Sequence, residues 1–159
     1  MTTRNKILLV ILLAVLCSWL FGCSEEHYVP LPSTTNGVVD TPYLQSLYQA
    51  YNAGYFRNRL PKDVEINDFE SNPNFMATTM CTEDGKCVIQ FNPHFIVAPR
   101  TAELTMQHEM CHVKTWGKDV DTLGKQIDHG RSWRTCMLQL DAEGAVREVL
   151  IDDYRETMQ

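Results

Sequence analysis

Residues 108–112 read HEMCH, two histidines four positions apart with a glutamate directly after the first. On an α-helix, positions i and i+4 lie on the same face, so the imidazoles of His108 and His112 can bind one zinc ion. Glu109 would then lie beside the ion, where its carboxylate can take a proton from water. The H-E-x-x-H pattern is typical of zinc metalloproteases. The other interpretation is that both histidines are partly buried helix residues with ordinary hydrogen bonds.

A catalytic zinc site needs a third protein ligand and an open position for water. The metzincin pattern would place a glycine and a histidine at positions 115 and 118, but the chain has Thr115 and Lys118. His129 follows the motif by 17 residues, within DHGRSW, and a loop of that length can fold back over the motif helix. We therefore expect one zinc per chain with His129 as the third ligand, and Glu143 and Asp128 as the alternatives.

The helix that must present the motif is predicted from about Thr101 to Trp116, closed by Gly117. The segment that follows is rich in glycine and has no sustained apolar period, which predicts a loop with at most a short helix. Apolar periodicity returns from Arg131 to Leu150 and predicts a last helix.

The part of the chain before the motif predicts a helix and a small sheet. Apolar residues recur at intervals of three and four over residues 43–60, with Thr41 placed to cap this helix and Pro42 at its first position. Alternation over residues 64–69 predicts a strand, and Asp84-Gly85 predicts the turn of a hairpin. The expected fold class is α+β, with helices packed on a small antiparallel sheet.

Four cysteines remain once the N-terminal segment is set aside, and four allow three pairings. Cys81 and Cys87 flank the predicted hairpin turn, so they can form a disulfide across two strands. Cys111 and Cys136 lie in predicted helices, where each can be a small buried apolar side chain.

The N-terminus has the pattern of an export signal, with a basic start and an apolar run. Leu20–Cys23 reads LFGC, which resembles a bacterial lipobox. We expect residues 1–22 to be a signal peptide, Cys23 to carry lipid and residues 23–41 to be a flexible tether before a domain at 42–159. The alternatives are an uncleaved anchor or a plain secretory signal. Each version places the domain outside the cytoplasm, and the lipid-anchored version places it in the bacterial cell envelope. Ser24, by resemblance, indicates the outer membrane.

The charge balance argues against nucleic acid as a partner. The chain has 14 Lys+Arg and 20 Asp+Glu, a formal net charge of −6. Removal of residues 1–22 takes away Arg4 and Lys6, which leaves 12 basic residues and a net charge of −8. Nucleic-acid affinity usually depends on neutralising phosphates with Lys and Arg, and no basic cluster is present.

HEMCH followed by HGRSW resembles the SprT-like family of zinc metallopeptidases. LYQAYNAGYFRNRLP is similar to the first helix of that family, and CVIQFNPHFI is similar to its strand and the turn after it. The resemblance covers about residues 43–140. It implies a zincin-like domain of the minimal gluzincin type.

Transferred to this chain, the resemblance implies that His108, His112 and His129 are the zinc ligands and that Glu109 is the catalytic base. Trp133 would be a packing residue that fixes the loop bearing His129. Some family members are DNA-dependent proteases. This chain differs from them in its acidity, in its export signal and in lacking a visible DNA-binding extension.

The expected activity is hydrolysis of peptide bonds in a protein or peptide substrate. Tyr154 and Arg131 are candidates for stabilising the oxyanion, and the sequence selects neither. The alternative is a non-enzymatic, zinc-containing envelope lipoprotein that binds another protein. A cytoplasmic DNA-repair protease would require the N-terminal segment not to be a signal.

Overall fold

The structure is a computed structural model, and it describes residues 29–35, 37–68, 75–95 and 98–146. The predicted signal peptide, the predicted lipidation site Cys23, much of the predicted tether and Tyr154 lie outside the described residues. None of the helices within the described ranges combines the length and hydrophobicity needed to cross a membrane.

Helix α1 spans Thr41–Gly54. Its N-cap is Asp40, whose carboxylate accepts a hydrogen bond from the Tyr43 backbone N–H at 2.8 Å, so the prediction of Thr41 as the cap is wrong by one residue. The predicted extension to residue 60 is also wrong, because Arg57 and Asn58 adopt positive φ and turn the chain.

The three described strands form one sheet in the order β1-β3-β2. They are β1, Glu65–Asp68; β2, Ala77–Cys81; and β3, Cys87–Phe91. The β2–β3 hairpin is antiparallel and turns at Gly85, which has a φ of 85°. β1 pairs in parallel with β3, so the prediction of a purely antiparallel sheet is wrong. The central strand is the most buried, and β1 joins it on the edge opposite the hairpin partner.

Helix α2 spans Pro99–Thr115 and helix α3 spans Arg131–Ala142. The motif helix therefore begins two residues before the predicted start, with Pro99 in the first position. Gly117 follows it with a φ of 71°, as expected of a residue that ends a helix. Helix α3 ends before Gly144, whose φ is 82°; the part of the predicted helix after residue 146 lies outside the described residues.

The core lies where α1 and α2 pack on the sheet. Its largest fully buried side chains include Tyr48, Leu47, Ile89, Phe91 and Met106. The described domain is thus a small α+β unit, as predicted. Its packing holds α2, which carries HEMCH, against the sheet.

Candidate metal centre

Three histidine rings meet at one point of the structure. His108 and His112 lie on α2, and His129 comes from the loop just before α3. The His108 Nε2 atom is 3.2 Å from Nε2 of His112 and 3.1 Å from Nε2 of His129. One ligand atom from each ring can be chosen so that all three lie within 4.8 Å of one another.

These spacings suit a single ion of the size of zinc. Two nitrogens bound tetrahedrally at about 2.0–2.1 Å from zinc would be about 3.3 Å apart. The observed separations are close to that value, and the ligand set is nitrogen only, which suits zinc among other transition metals. The histidine group can hold a metal ion, and its geometry is compatible with zinc.

The two alternative third ligands are not part of this group. The Glu143 Oε1 atom accepts a hydrogen bond from Gln139 Nε2 at 2.8 Å, at the end of α3. Asp128 lies near enough for its negative charge to act on His108 and His112, but its carboxylate is not among the converging atoms. The geometry therefore favours His129 as the third member.

Trp133, in the first turn of α3, packs against all three rings. Its ring centroid is 4.4 Å from that of His129, 4.7 Å from that of His108 and 5.6 Å from that of His112. The indole Nε1–H also donates a hydrogen bond to the His108 carbonyl oxygen at 3.3 Å. One side chain thus connects the motif helix to the loop that bears the third histidine.

Asp119 caps the start of α3, which begins just after His129, and this role was not predicted from the sequence. Its carboxylate accepts hydrogen bonds from the Ser132 backbone N–H at 2.7 Å, the Ser132 hydroxyl at 3.1 Å and the Trp133 backbone N–H at 3.3 Å. These contacts satisfy free N–H groups at the start of α3, whose N-cap, Gly130, has no side chain to do so. The cap comes from far upstream, so no local sequence pattern indicates it.

Gly130 is required by the same arrangement. A Cβ atom at this position would lie 2.5 Å from the Asp119 Cβ and 2.6 Å from its Cγ. The Arg134 Nε–H also donates a hydrogen bond to the His129 carbonyl oxygen at 3.0 Å. The HGRSW segment therefore includes a glycine that admits the capping carboxylate and a tryptophan that packs on the histidines.

Glu109 is buried, with 4% of its surface exposed. Its Oε2 atom accepts a hydrogen bond from the Thr79 hydroxyl on β2 at 2.6 Å. Burial raises the pKa of Glu109 to about 7; the Thr79 hydrogen bond opposes this shift and the charge of Asp128 adds to it. Thr79 precedes Glu109 by 30 residues, so the sequence had no signal for this contact.

The two motif histidines are held in their neutral form. The pKa of His108 and of His112 is lowered to about 4, mainly by burial and in part by the neighbouring histidines, while the charge of Asp128 opposes the shift. A metal binds the neutral imidazole, so at neutral pH these rings need lose no proton before binding one.

Both cysteine pairs form disulfides. The Cys81–Cys87 bond joins β2 to β3 across the hairpin, which confirms the predicted pairing. Cys111 and Cys136 are buried, as expected, but they are bonded to each other and so join α2 to α3. The interpretation of these two as separate apolar side chains is wrong, because the packing of α3 on α2 brings their Cα atoms to 5.7 Å.

The sequence model of the SprT-like family matches residues 44–155, most of the chain. The chain belongs to the SprT-like family. The region matched to the SprT-like family begins within α1 and includes the three histidines, Glu109 and Trp133. The resemblance carried by HEMCH and HGRSW is thus confirmed at the level of the family. No curated protein matches the chain significantly.

Proposed function

We propose that this chain is a zinc-dependent metalloendopeptidase with a zincin-like fold. The observation that supports this most is the convergence of three histidine nitrogens, two of them on the helix that also carries the buried Glu109, in a chain of the SprT-like family. Metalloprotease activity is associated with that family. A protein-binding module would need no buried carboxyl group on the helix that carries two of the histidines.

His108, His112 and His129 would hold the zinc, one ion per chain. Zinc in such a site supplies a Lewis acid, which lowers the pKa of a water toward about 7 and polarises the scissile carbonyl. Trp133 packs against all three histidine rings and covers them with an apolar surface. This packing would hold the ligands in place before the metal binds.

Glu109 is the general base of the proposed reaction. Its carboxylate accepts a proton from the attacking water and returns it to the leaving amine. The Thr79 hydroxyl fixes the orientation of the carboxyl by donating to Oε2, which assigns Oε1 to the proton transfer. A pKa of about 7 suits both directions of transfer near neutral pH. We assign no residue to the oxyanion.

The experiment compares the full chain with its Glu109→Gln variant, both purified with zinc. The wild type should contain one zinc and cleave a denatured protein substrate. The variant should retain the zinc and lose activity by about 10²- to 10⁴-fold, the usual contribution of a general base. Equal activity in the variant would disprove the role of Glu109. Zinc-loaded wild type that cleaves nothing in a broad peptide library would support the protein-binding alternative.

We further propose that the protein acts in the cell envelope, anchored by lipid on Cys23 and directed at protein or peptide substrates rather than nucleic acid. The two disulfides support an oxidising compartment, because such bonds are rare in the cytoplasm. Growth with a labelled fatty acid tests the anchor: the label should enter the wild type and not the Cys23→Ser variant. Label in both the wild type and the variant, or in neither protein, would contradict the proposed anchor.

A further inference from the structure

The two parts of the metal centre are joined by a covalent bond. Cys111 lies on α2 between His108 and His112, and its partner Cys136 lies on α3. Cys136 follows Trp133 by three positions, so the two side chains share a face of α3. The disulfide is therefore one helical turn from the indole that packs on the three histidines.

Few side chains of α3 are fully buried. Of the side chains in Arg131–Ala142, two are buried, Leu140 and Cys136 itself. Trp133 and Met137 are half-buried. Without the disulfide, α3 would be held on α2 by Leu140, by the half-buried Trp133 and by hydrogen bonds. One is the exposed bond from Lys114 Nζ to Gln139 at 3.0 Å, and another, in the turn after α3, is the buried bond from Gln107 Nε2 to the Ala145 carbonyl oxygen at 3.1 Å.

The loop that carries His129 is not held on α2 by buried side chains of its own. No residue of the segment 117–130 is buried. Its hydrogen bonds are mostly internal, with the Asp121 carboxylate accepting from the backbone N–H groups of Leu123 and Lys125, or run to the start of α3 through Asp119. The position of His129 relative to α2 therefore depends on where α3 lies.

We propose that the Cys111–Cys136 disulfide is a positioning device for the metal centre, and that the three histidines are held ready for a metal only after these cysteines are oxidised. This inference rests on the proposed metal site, not on peptidase activity. The two thiols lose two protons and two electrons to the disulfide of an oxidoreductase, which is reduced to a dithiol. Cys111 and Cys136 are 0% and 2% exposed, so the bond is shielded from reductants once formed.

The second disulfide provides a matched control. Cys81 and Cys87 face each other in a hairpin whose register is also held by the β2–β3 ladder. The residues they join are six positions apart, and neither lies on a helix of the metal centre. Loss of this bond should leave the histidine group in place.

The test compares the full chain with C111A/C136A and with C81A/C87A. Zinc affinity is measured by competition with a chelator, and cobalt is titrated into the metal-free proteins while its absorption spectrum is recorded. C111A/C136A should bind zinc about 10- to 100-fold more weakly, the range seen when outer contacts of metal ligands are lost. At saturating cobalt it should still reach the wild-type spectrum, because all three ligands remain. C81A/C87A should bind like the wild type.

Unchanged affinity in C111A/C136A, or an equal loss in C81A/C87A, would overturn the proposal. A second variant, C111A/C136V, refills the volume of the sulfur atoms and separates lost packing from the lost bond; recovery of wild-type affinity in it would also overturn the proposal. If both variants lack helical structure even in excess zinc, the bond maintains the whole fold rather than one ligand, and the proposal fails. None of these readouts requires the protein to be a peptidase.

Discussion

The metal centre has two halves that are built in different ways. Nine of the seventeen residues of α2 are buried, and this helix brings His108, His112 and Glu109 with it. The loop of residues 117–130 has no buried residue, and it brings His129. The first half is positioned by the core of the domain, whereas the second is positioned by one indole, one carboxylate and one disulfide. The site is thus rigid where the chemistry is proposed and more weakly supported where the third ligand enters.

Replacement of the ligand in the weaker half tests this comparison most strongly. His129→Ala should lower zinc affinity by more than about 100-fold, the upper end of the loss seen when outer contacts of metal ligands are removed, because two imidazoles on one helical turn cannot complete the site. The exposed position of His129 means that the stability of the metal-free protein should hardly change. Chelator competition and thermal unfolding measure the two quantities.

Asp128→Asn is the matched control for that variant, because it removes the neighbouring acidic group and leaves the histidine. It should retain the zinc. If Asp128→Asn loses the metal and His129→Ala keeps it, the third ligand has been assigned to the wrong residue of the loop.

The half built on α2 can be tested through pH. The pKa of Glu109 is about 7 in the folded protein and about 4.5 in the unfolded chain. The folded state therefore binds more protons between these values, and this contribution to stability is present at low pH and lost as the pH rises through 7. The difference corresponds to about 3 kcal/mol.

We expect the metal-free wild type to lose this amount relative to Glu109→Gln between pH 4.5 and pH 8, as measured by denaturant unfolding of both proteins. The variant has no titrating group at this position, so it subtracts the effect of the other ionisable residues. Parallel pH profiles for the two proteins would show that residue 109 is more hydrated than the structure indicates.

The half of the site on α2 could be predicted from the sequence better than the half in the loop. The motif helix, its two ligands and Glu109 follow from a spacing of four residues, which any α-helix converts into proximity. His129 was one of three candidates, and choosing it required the loop to fold back. Asp119 and Thr79 could not be predicted, since each acts across a turn or a sheet with no periodic relation to its partner.

The fold shows the same limit. The motif helix was predicted to within two residues at each end. The first helix ends earlier than predicted, because Arg57 and Asn58 turn the chain, and the last helix ends at Ala142, with residues 143–146 in a turn. The hairpin and its disulfide followed from Asp84-Gly85. The direction of β1 did not, because alternation in a short strand is the same for parallel and antiparallel pairing. The Cys111–Cys136 bond was not predicted, because nothing in the sequence indicates that α3 packs on α2.

The smallest effect is expected at Gly130, where the two halves meet. An alanine methyl group at this position would lie 2.5 Å from the Asp119 Cβ, so the capping carboxylate or the start of α3 must move. Gly130→Ala should destabilise the protein by about 1–2 kcal/mol, as overpacking usually does, and weaken zinc binding through the displaced His129. Asp119→Ala should destabilise it by about 1 kcal/mol through the lost cap.

The double variant, Gly130→Ala with Asp119→Ala, separates a steric conflict from a requirement for backbone freedom. If the conflict is steric, the second substitution removes the obstacle, and the combined loss of stability in denaturant unfolding should be smaller than the sum of the two. Gly130 has a φ of −67°, which an alanine adopts without strain, so backbone conformation should contribute little. Additive losses would mean that Gly130 is needed for a reason other than admitting the Asp119 side chain. The loop half of the metal centre would then be stabilised by a contact other than those described above.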